Sequence, residues 1–213
     1  VKPLKTYHDF NKEVKSAEIL EQLRNNQNVA LISDAGYPLI SDPGYYLIRE
    51  VIEEDFNVVS IPGANALLSG LVVSGLPPHP FSFYGFLDNK EGKRKKQLEA
   101  LKDKTETLVF YESPHRITKT INNINDVFGT RDVVVARELT KKFEEIIRGT
   151  SETLKDLELL KGEMVLIVAG KSGDVQDLEM TILEEIDMHM ENGMSSKDAI
   201  KEVAKRRNLT KND

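Results

Sequence analysis

The chain contains no cysteine. That excludes disulfides, a thiolate nucleophile and cysteine-ligated zinc, and it fits a reducing compartment such as the cytoplasm. No apolar run approaches the ~18 residues of a membrane-spanning helix, and no signal peptide opens the chain, so no membrane partner is expected. Neither G-x-G-x-x-G nor G-x-x-x-x-G-K-[ST] occurs, which removes dinucleotide and P-loop phosphate binding in their usual form. Internal repeats and low-complexity tracts are missing as well.

What remains is 213 residues, 39% hydrophobic and 30% charged, the composition of an ordinary globular protein. The net charge of −6 argues at first against a polyanionic partner. The charge is unevenly spread, however. Residues 152–191 hold eleven acids and three bases, so the rest of the chain is slightly basic. Two segments concentrate the bases: residues 88–104, centred on Lys93, Arg94, Lys95 and Lys96, and residues 195–211. Solvated helix faces explain such runs, and an anionic ligand explains them equally.

Apolar spacing predicts a helix over Phe10–Asn26, then a buried strand at Val29–Ile32. A helix over Tyr45–Glu54, a strand at Val58–Ile61 and a small-residue helix over Ala64–Ser74 follow. This alternation implies a parallel αβ sheet. The proline-rich stretch from Gly75 to Pro80 cannot continue a helix and reads as a linker. Beyond it the pattern predicts strands at Phe81–Phe86, Thr107–Tyr111, Asp132–Ala136, Glu145–Arg148 and Met164–Val168. Helices are predicted at Glu91–Lys102, Ile117–Phe128 and Leu154–Leu160, with tail helices at Leu178–Met190 and Lys197–Arg206. The fold class is therefore α/β, with an N-terminal αβ domain over 1–76, a C-terminal αβ domain with a mixed sheet over 77–172, and a helical tail over 173–213.

Four loops at strand ends hold the residue types that carry chemistry. SDAGYPLISDPG, from Ser33, follows a strand and precedes a helix, where open αβ sheets bind ligands. Asp34 and Asp42 suit a ribose or an amine, or simply cap the turn and the next helix. SIPGANA, from Ser60, repeats the arrangement with small residues that let a flat ligand reach the backbone or let a helix pack on a sheet. ESPHR, from Glu112, brings an acid, an imidazole and a guanidinium off one strand end, although Ser113-Pro114 also makes an ordinary helix entrance. ARELTKKFEE, from Ala136, is charge-dense directly after an apolar strand.

Together with FYGFL from Phe83, KGEMVLIVAG from Lys161 and LKTYHDFN from Leu4, these segments resemble the tetrapyrrole methylase superfamily. The resemblance runs from about Leu4 to Gly170. ESPHR and ARELTKKFEE resemble the branch that methylates a cytidine ribose 2′-hydroxyl in 16S ribosomal RNA. That family usually opens with a strand and a Gly-Thr-Pro-Ile-Gly-Asn-Leu loop, later followed by Glu-Asp-Thr-Arg, and neither is found here. Since the first residue is Val1, a chain cut short at its N-terminus is expected, with its N-terminal sheet incomplete and its own activity in question.

The resemblance implies two αβ domains, usually in dimers, with S-adenosylmethionine in the cleft between them and no metal. Carried onto matching positions, it assigns the cofactor to Ser33, Asp34, Ala35, Gly36, Ile40 and Ser41. Pro62, Gly63, Ala64, Asn65 and Ala66 form another wall, and Tyr111, Glu112, Gly162, Glu163 and Met164 complete it. Glu112, His115 and Glu138 are the candidate proton acceptors, and Arg116, Arg137 and Lys141 the cations for phosphate or oxyanion. Lys93, Arg94, Lys95, Lys96, Arg116, Lys141 and Lys142 are the expected RNA contacts. The tail cations Lys201, Lys205, Arg206 and Arg207 suit RNA contact or dimer packing equally. His8 is a weaker candidate, and His79 and His189 receive no role. The partner implied is 16S ribosomal RNA or the small ribosomal subunit, beside a second copy of the chain. A methylase of a tetrapyrrole or other small molecule, and a non-catalytic RNA- or ribosome-binding module, are the alternatives.

Overall fold

In the computed structural model, residues 4–8, 10–157, 160–171 and 181–206 are described. They fall into two compact units, Val1–Lys171 and Ser172–Asp213. The larger unit begins with α1 (Lys12–Arg24), α2 (Tyr45–Glu53) and α3 (Ala66–Ser74). β1 (Phe81–Phe86), α4 (Glu91–Glu99), β2 (Thr107–Glu112) and α5 (Ile117–Phe128) follow, and β3 (Asp132–Arg137), β4 (Glu145–Thr150) and β5 (Met164–Val168) complete it. The smaller unit holds α6 (Ile182–Glu191) and α7 (Ser196–Arg206).

The five strands form one mixed sheet in the order β1-β2-β5-β3-β4. β1 runs parallel to β2, while β5 is antiparallel to both β2 and β3, and β4 is antiparallel to β3. All five residues of β5 are buried, as a central strand with both faces covered requires. On one face Leu98, Ile117, Ile121 and Ile124 of α4 and α5 pack on Leu108, Phe110, Val133, Val135 and Leu166. On the other, Leu67 and Leu71 of α3 cover Val109, Val134, Ala136, Val165 and Ile167. α3 lies so close that a side chain at Gly70 would meet Val165 at 3.1 Å, so the small-residue helix is the tightly packed element its composition predicts. Each fully buried aliphatic side chain in these layers contributes roughly 1.5–3 kcal/mol.

Two expectations fail in this unit. Val29–Ile32 and Val58–Ile61 belong to no strand or sheet, and no strand precedes Phe81 among the described residues. A strand is stable only when its edges pair, and two short runs alone make at best a marginal ribbon. Their apolar residues accordingly face solvent, Ile32 at 72% and Ile61 at 74% exposure. The helix expected over Leu154–Leu160 is a series of turns through Asp156, with Glu158 and Leu159 outside the described residues. Leu154 nevertheless packs into the α5-side core.

α1 and α2 join through a separate small cluster of Leu20, Leu47 and Val51, with Tyr7, Ile19, Leu23 and Phe56 around it. In the smaller unit a capping box starts α6: the Thr181 hydroxyl accepts from the Glu184 N–H, and the Glu184 carboxylate accepts from the Thr181 N–H. α6 begins at Ile182; the earlier part of the predicted helix, from Leu178, lies outside the described residues, as do Arg207 and the side chains of Lys205 and Arg206.

Candidate functional site

A cavity of about 350 Å³ opens where β2 ends and β5 begins. The first loop contributes Ala35, Gly36, Tyr37, Ile40, Ser41 and Asp42, and Ala66 opens α3 beside them. Phe86 closes β1, Tyr111, Glu112, Ser113 and Pro114 continue β2, and Ala136, Leu139 and Gly162–Val165 form the remaining side. Four loops distant in sequence thus share one concavity, as strand ends in αβ sheets commonly do.

Of the residues expected on the cofactor, Ala35, Gly36, Ile40, Ser41, Ala66, Tyr111, Glu112, Gly162, Glu163 and Met164 line this cavity. Ser33, Asp34, Pro62, Gly63, Ala64 and Asn65 do not. Ser33 instead supports the loop, its hydroxyl donating to the Asp42 carboxylate. Asn65 is the N-cap of α3, accepting from the Leu68 N–H at 3.0 Å. The Tyr37 and Ser60 hydroxyls share a hydrogen bond that ties the first loop to the second. Leu39 and Ser41 are held at φ +70° and +62°, a left-handed conformation uncommon outside glycine that persists where surrounding contacts enforce it.

The ESPHR segment carries a buried ion pair. Glu112, 3% exposed, accepts at Oε1 from the Ser113 N–H (2.7 Å) and from Arg116 Nε (2.9 Å) and Nη2 (2.7 Å). Its Oε2 accepts from the fully buried Thr120 hydroxyl at 2.6 Å. Arg116 reaches on to the Leu87 carbonyl at 3.3 Å. His115 is exposed and makes no hydrogen bond among the described residues.

A scan against family descriptions matches residues 2–155 to the Tetrapyrrole (Corrin/Porphyrin) Methylases. The chain belongs to the tetrapyrrole methylases. Ribosomal RNA small subunit methyltransferase I of Bacillus subtilis (strain 168) is 43% identical over 220 residues, spanning 99% of this chain and 75% of that protein. The protein of the same name from Halalkalibacterium halodurans is 40% identical, with 99% and 75% covered. Among solved structures, the methyltransferase CobJ superposes with a TM-score of 0.58 at 18% identity, covering 79% of this chain and 74% of that one. Uroporphyrin-III C-methyl transferase from Thermus thermophilus, solved with S-adenyl homocysteine, gives 0.53 at 18% identity, with 76% and 75% covered. At such identities the structures establish the shared fold.

In this tetrapyrrole methylase the basic run divides. Arg94, expected on the RNA-facing surface, is only 3% exposed. Its Nε donates to Asn123 Oδ1 at 2.8 Å, and Nη1 donates to the Asp88 and Asn89 carbonyls, both at 3.2 Å. The cause is helical spacing: Arg94 shares its face with Leu98, one turn on, which is buried in the core. Lys95 pairs with Asp126 and Glu91, while Lys93 and Lys96 face solvent. Arg94→Ala is therefore expected to cost about 2–3 kcal/mol of stability, since Asn123 loses its donor. Urea unfolding of the variant beside the unaltered chain checks this.

Arg137 is likewise engaged, with Nε on Glu145 at 2.6 Å and Nη1 on the Lys161 carbonyl at 3.2 Å. Glu138 forms a latch across the cavity's side. Its N–H donates to the Glu163 carbonyl, and its Oε1 accepts from the Glu163 N–H, both at 2.9 Å. Lys141 Nζ donates to the carboxylates of Glu138 (3.1 Å) and Glu163 (2.9 Å), and Lys142 Nζ lies over the Phe143 ring. The Glu163 N–H, and after it Lys141, hold the Glu138 carboxyl below the usual glutamate range. A lowered folded value stabilises the fold fully above the ordinary value of about 4.3 and loses that contribution as pH falls through the lowered one. Unfolding measured across this acid range is expected to show a component that Glu138→Gln removes.

Tyr37, Phe86, Ser113, Pro114, Ala136, Leu139 and Val165 line the cavity without having been singled out from sequence. Tyr37, Ser113, Pro114, Ala136 and Leu139 lie inside the chemistry-bearing segments. Leu139 follows Glu138, whose φ of +51° is a turn that the segment's composition does not signal. The described residues contain no cluster of His, Asp and Glu able to hold a metal ion, and no helix among them is long and apolar enough to cross a membrane.

Proposed function

We propose that this chain transfers the methyl group of S-adenosylmethionine to 16S ribosomal RNA, at the ribose 2′-hydroxyl of a cytidine. The match to the Bacillus subtilis protein, over 99% of this chain and 75% of that protein, supports this most directly. The cavity fits the cofactor in size and chemistry: Ala35, Gly36, Ala66 and Gly162 leave backbone accessible, and Asp42 and Glu163 place carboxylates beside it. The loop before α2 and the start of α3 supply one side, and the strand ends of the five-stranded sheet supply the other.

When bound, the cofactor supplies an electrophilic methyl carbon on a sulfonium centre. The ribose oxygen would bond to that carbon as the carbon–sulfur bond gave way, its proton passing to a base of the protein. Because the sulfonium charge is dispersed in this displacement, positioning is the main task of the protein. Glu112 and Arg116 hold the Ser113–Pro114 wall, and the Glu138 latch holds Gly162 and Glu163. Both carboxylates are occupied by these bonds, as is Arg137 by its own, so these residues position the walls. His115, exposed beside that wall, is the candidate proton acceptor. Lys93, Lys96 and Lys142 are the cations available to phosphates, Lys141 being held by Glu138 and Glu163. The enzyme works in the cytoplasm, as a homodimer, on the RNA or the assembled small subunit.

The test is transfer of labelled methyl from the cofactor to small ribosomal subunits, with a porphyrinoid as control. Label recovered as 2′-O-methylcytidine is the expected result. Label only on the porphyrinoid would overturn the reading, and binding to subunits with no cofactor binding by calorimetry would make the chain a non-catalytic module.

A further inference from the structure

One ring at the cavity is placed by an irregularity in its strand. β1 pairs with β2 through Phe83↔Val109 and then Phe86↔Tyr111, so Tyr84 and Gly85 together oppose the single residue Phe110. Gly85 sits at φ +63°, the left-handed conformation that such a bulge calls for. The extra residue reverses the alternation of side chains. Tyr84 stacks on Phe110, on the α4–α5 side, at 5.7 Å between ring centres. Phe86, which a regular strand would point the same way, instead turns to the α3 side beside Tyr111, also at 5.7 Å. Leu87 then returns to the α4–α5 core at 5% exposure.

Phe86 is thereby left 55% exposed on a cavity wall. It is also fixed there. Arg116 holds the Leu87 carbonyl, buried Arg94 holds those of Asp88 and Asn89, and Gln97 accepts from the Asp88 N–H at 2.8 Å. A half-exposed ring on a rigid mount gains when a flat apolar face covers it.

We infer that Phe86 is a stacking platform for an unpaired nucleobase splayed out of the RNA. This rests on the function proposed above. Sequence-specific RNA recognition targets unpaired nucleotides splayed out of their strand, and such a nucleotide loses the stacking of its neighbours. A half-exposed aromatic face on the cavity wall replaces it, and does so for any base, since every base has a π-face. The walls of small residues receive the cofactor, whereas Phe86 ends the edge strand β1.

The experiment compares Phe86→Leu, Phe86→Trp and Gly85→Ala with the unaltered chain, using small ribosomal subunits as substrate and calorimetry for S-adenosylmethionine. Phe86→Leu is expected to raise KM for subunits between about 5- and 100-fold, the range seen when base stacking on an aromatic is lost. Its cofactor Kd should be unchanged, and Phe86→Trp should restore KM. Gly85→Ala should raise KM for subunits and weaken cofactor binding together, because a Cβ at Gly85 would meet Ser41 Oγ of the cofactor loop at 3.0 Å as well as strain the bulge that aims the ring. An unchanged KM in Phe86→Leu overturns the platform, and so does a weakened cofactor Kd with subunit binding intact. Failure of the unaltered chain to methylate subunits would instead overturn the function on which the platform rests.

Discussion

Glu112→Ala is expected to lower the free energy of unfolding by about 3 kcal/mol, the low end for breaking a buried ion pair. The carboxylate is 1% exposed, and all its neighbours are donors. Its removal leaves the Thr120 hydroxyl buried without an acceptor, which alone costs about 1–3 kcal/mol. Arg116 suffers less, because its side chain is 23% exposed and still reaches the Leu87 carbonyl. Glu112→Gln should cost less than Glu112→Ala, since its amide oxygen still accepts from Ser113 and Arg116 while the Thr120 hydroxyl turns to accept from the amide nitrogen. Urea midpoints for the two variants check this order. Equal stability of Glu112→Ala and the unaltered chain would release the carboxylate from its structural role and return it to the list of proton acceptors.

Gly162→Ala is expected to cost about 2–3 kcal/mol and to weaken cofactor binding at the same time. Gly162 has φ +96°, and a Cβ there would collide with Glu138 Cδ and Oε1. Either the backbone moves or the carboxylate leaves the Glu163 N–H, and both displace the cavity wall. The double variant Glu138→Ala/Gly162→Ala separates these causes, because without the Glu138 side chain only the φ strain is left. Its cost should therefore be less than the two single costs added together. Strict additivity, measured by unfolding and by calorimetry, would mean that the two residues do not meet.

Much of the larger unit was legible because its strands are short apolar runs between turn signals. Phe81–Phe86, Ile117–Phe128 and Met164–Val168 are found at their predicted bounds, since period and punctuation are local properties. Strand order was not legible, because pairing β5 between β2 and β3 depends on contacts far apart in sequence. The same reason defeated Val29–Ile32 and Val58–Ile61: an apolar run records strand propensity but not whether a partner is present. Arg94 was misplaced by reading a charge run as a surface, although its position one turn before Leu98 already put it on the core face. In the site, loops picked out from the sequence meet around one cavity, while the hydrogen bonds of single residues in them were not legible. Asn65 and Ser33 have the chemistry of ligand contacts and serve as cap and brace. The turn of Phe86 was hinted at only by a glycine within a strand, which marks a bulge without saying which ring it moves.

The central position of β5 has a consequence for how the chain assembles during synthesis. β5 is the last strand of its unit to be made, and it alone joins β1-β2 to β3-β4. Until Met164–Val168 leaves the ribosome, the nascent chain holds two separate two-stranded pieces, each marginal by itself. β2 and β3 meanwhile present open apolar edges that pair readily with other chains. Insertion of one five-residue strand closes both edges together, so folding waits on translation and the interval before it is when chaperone protection matters most.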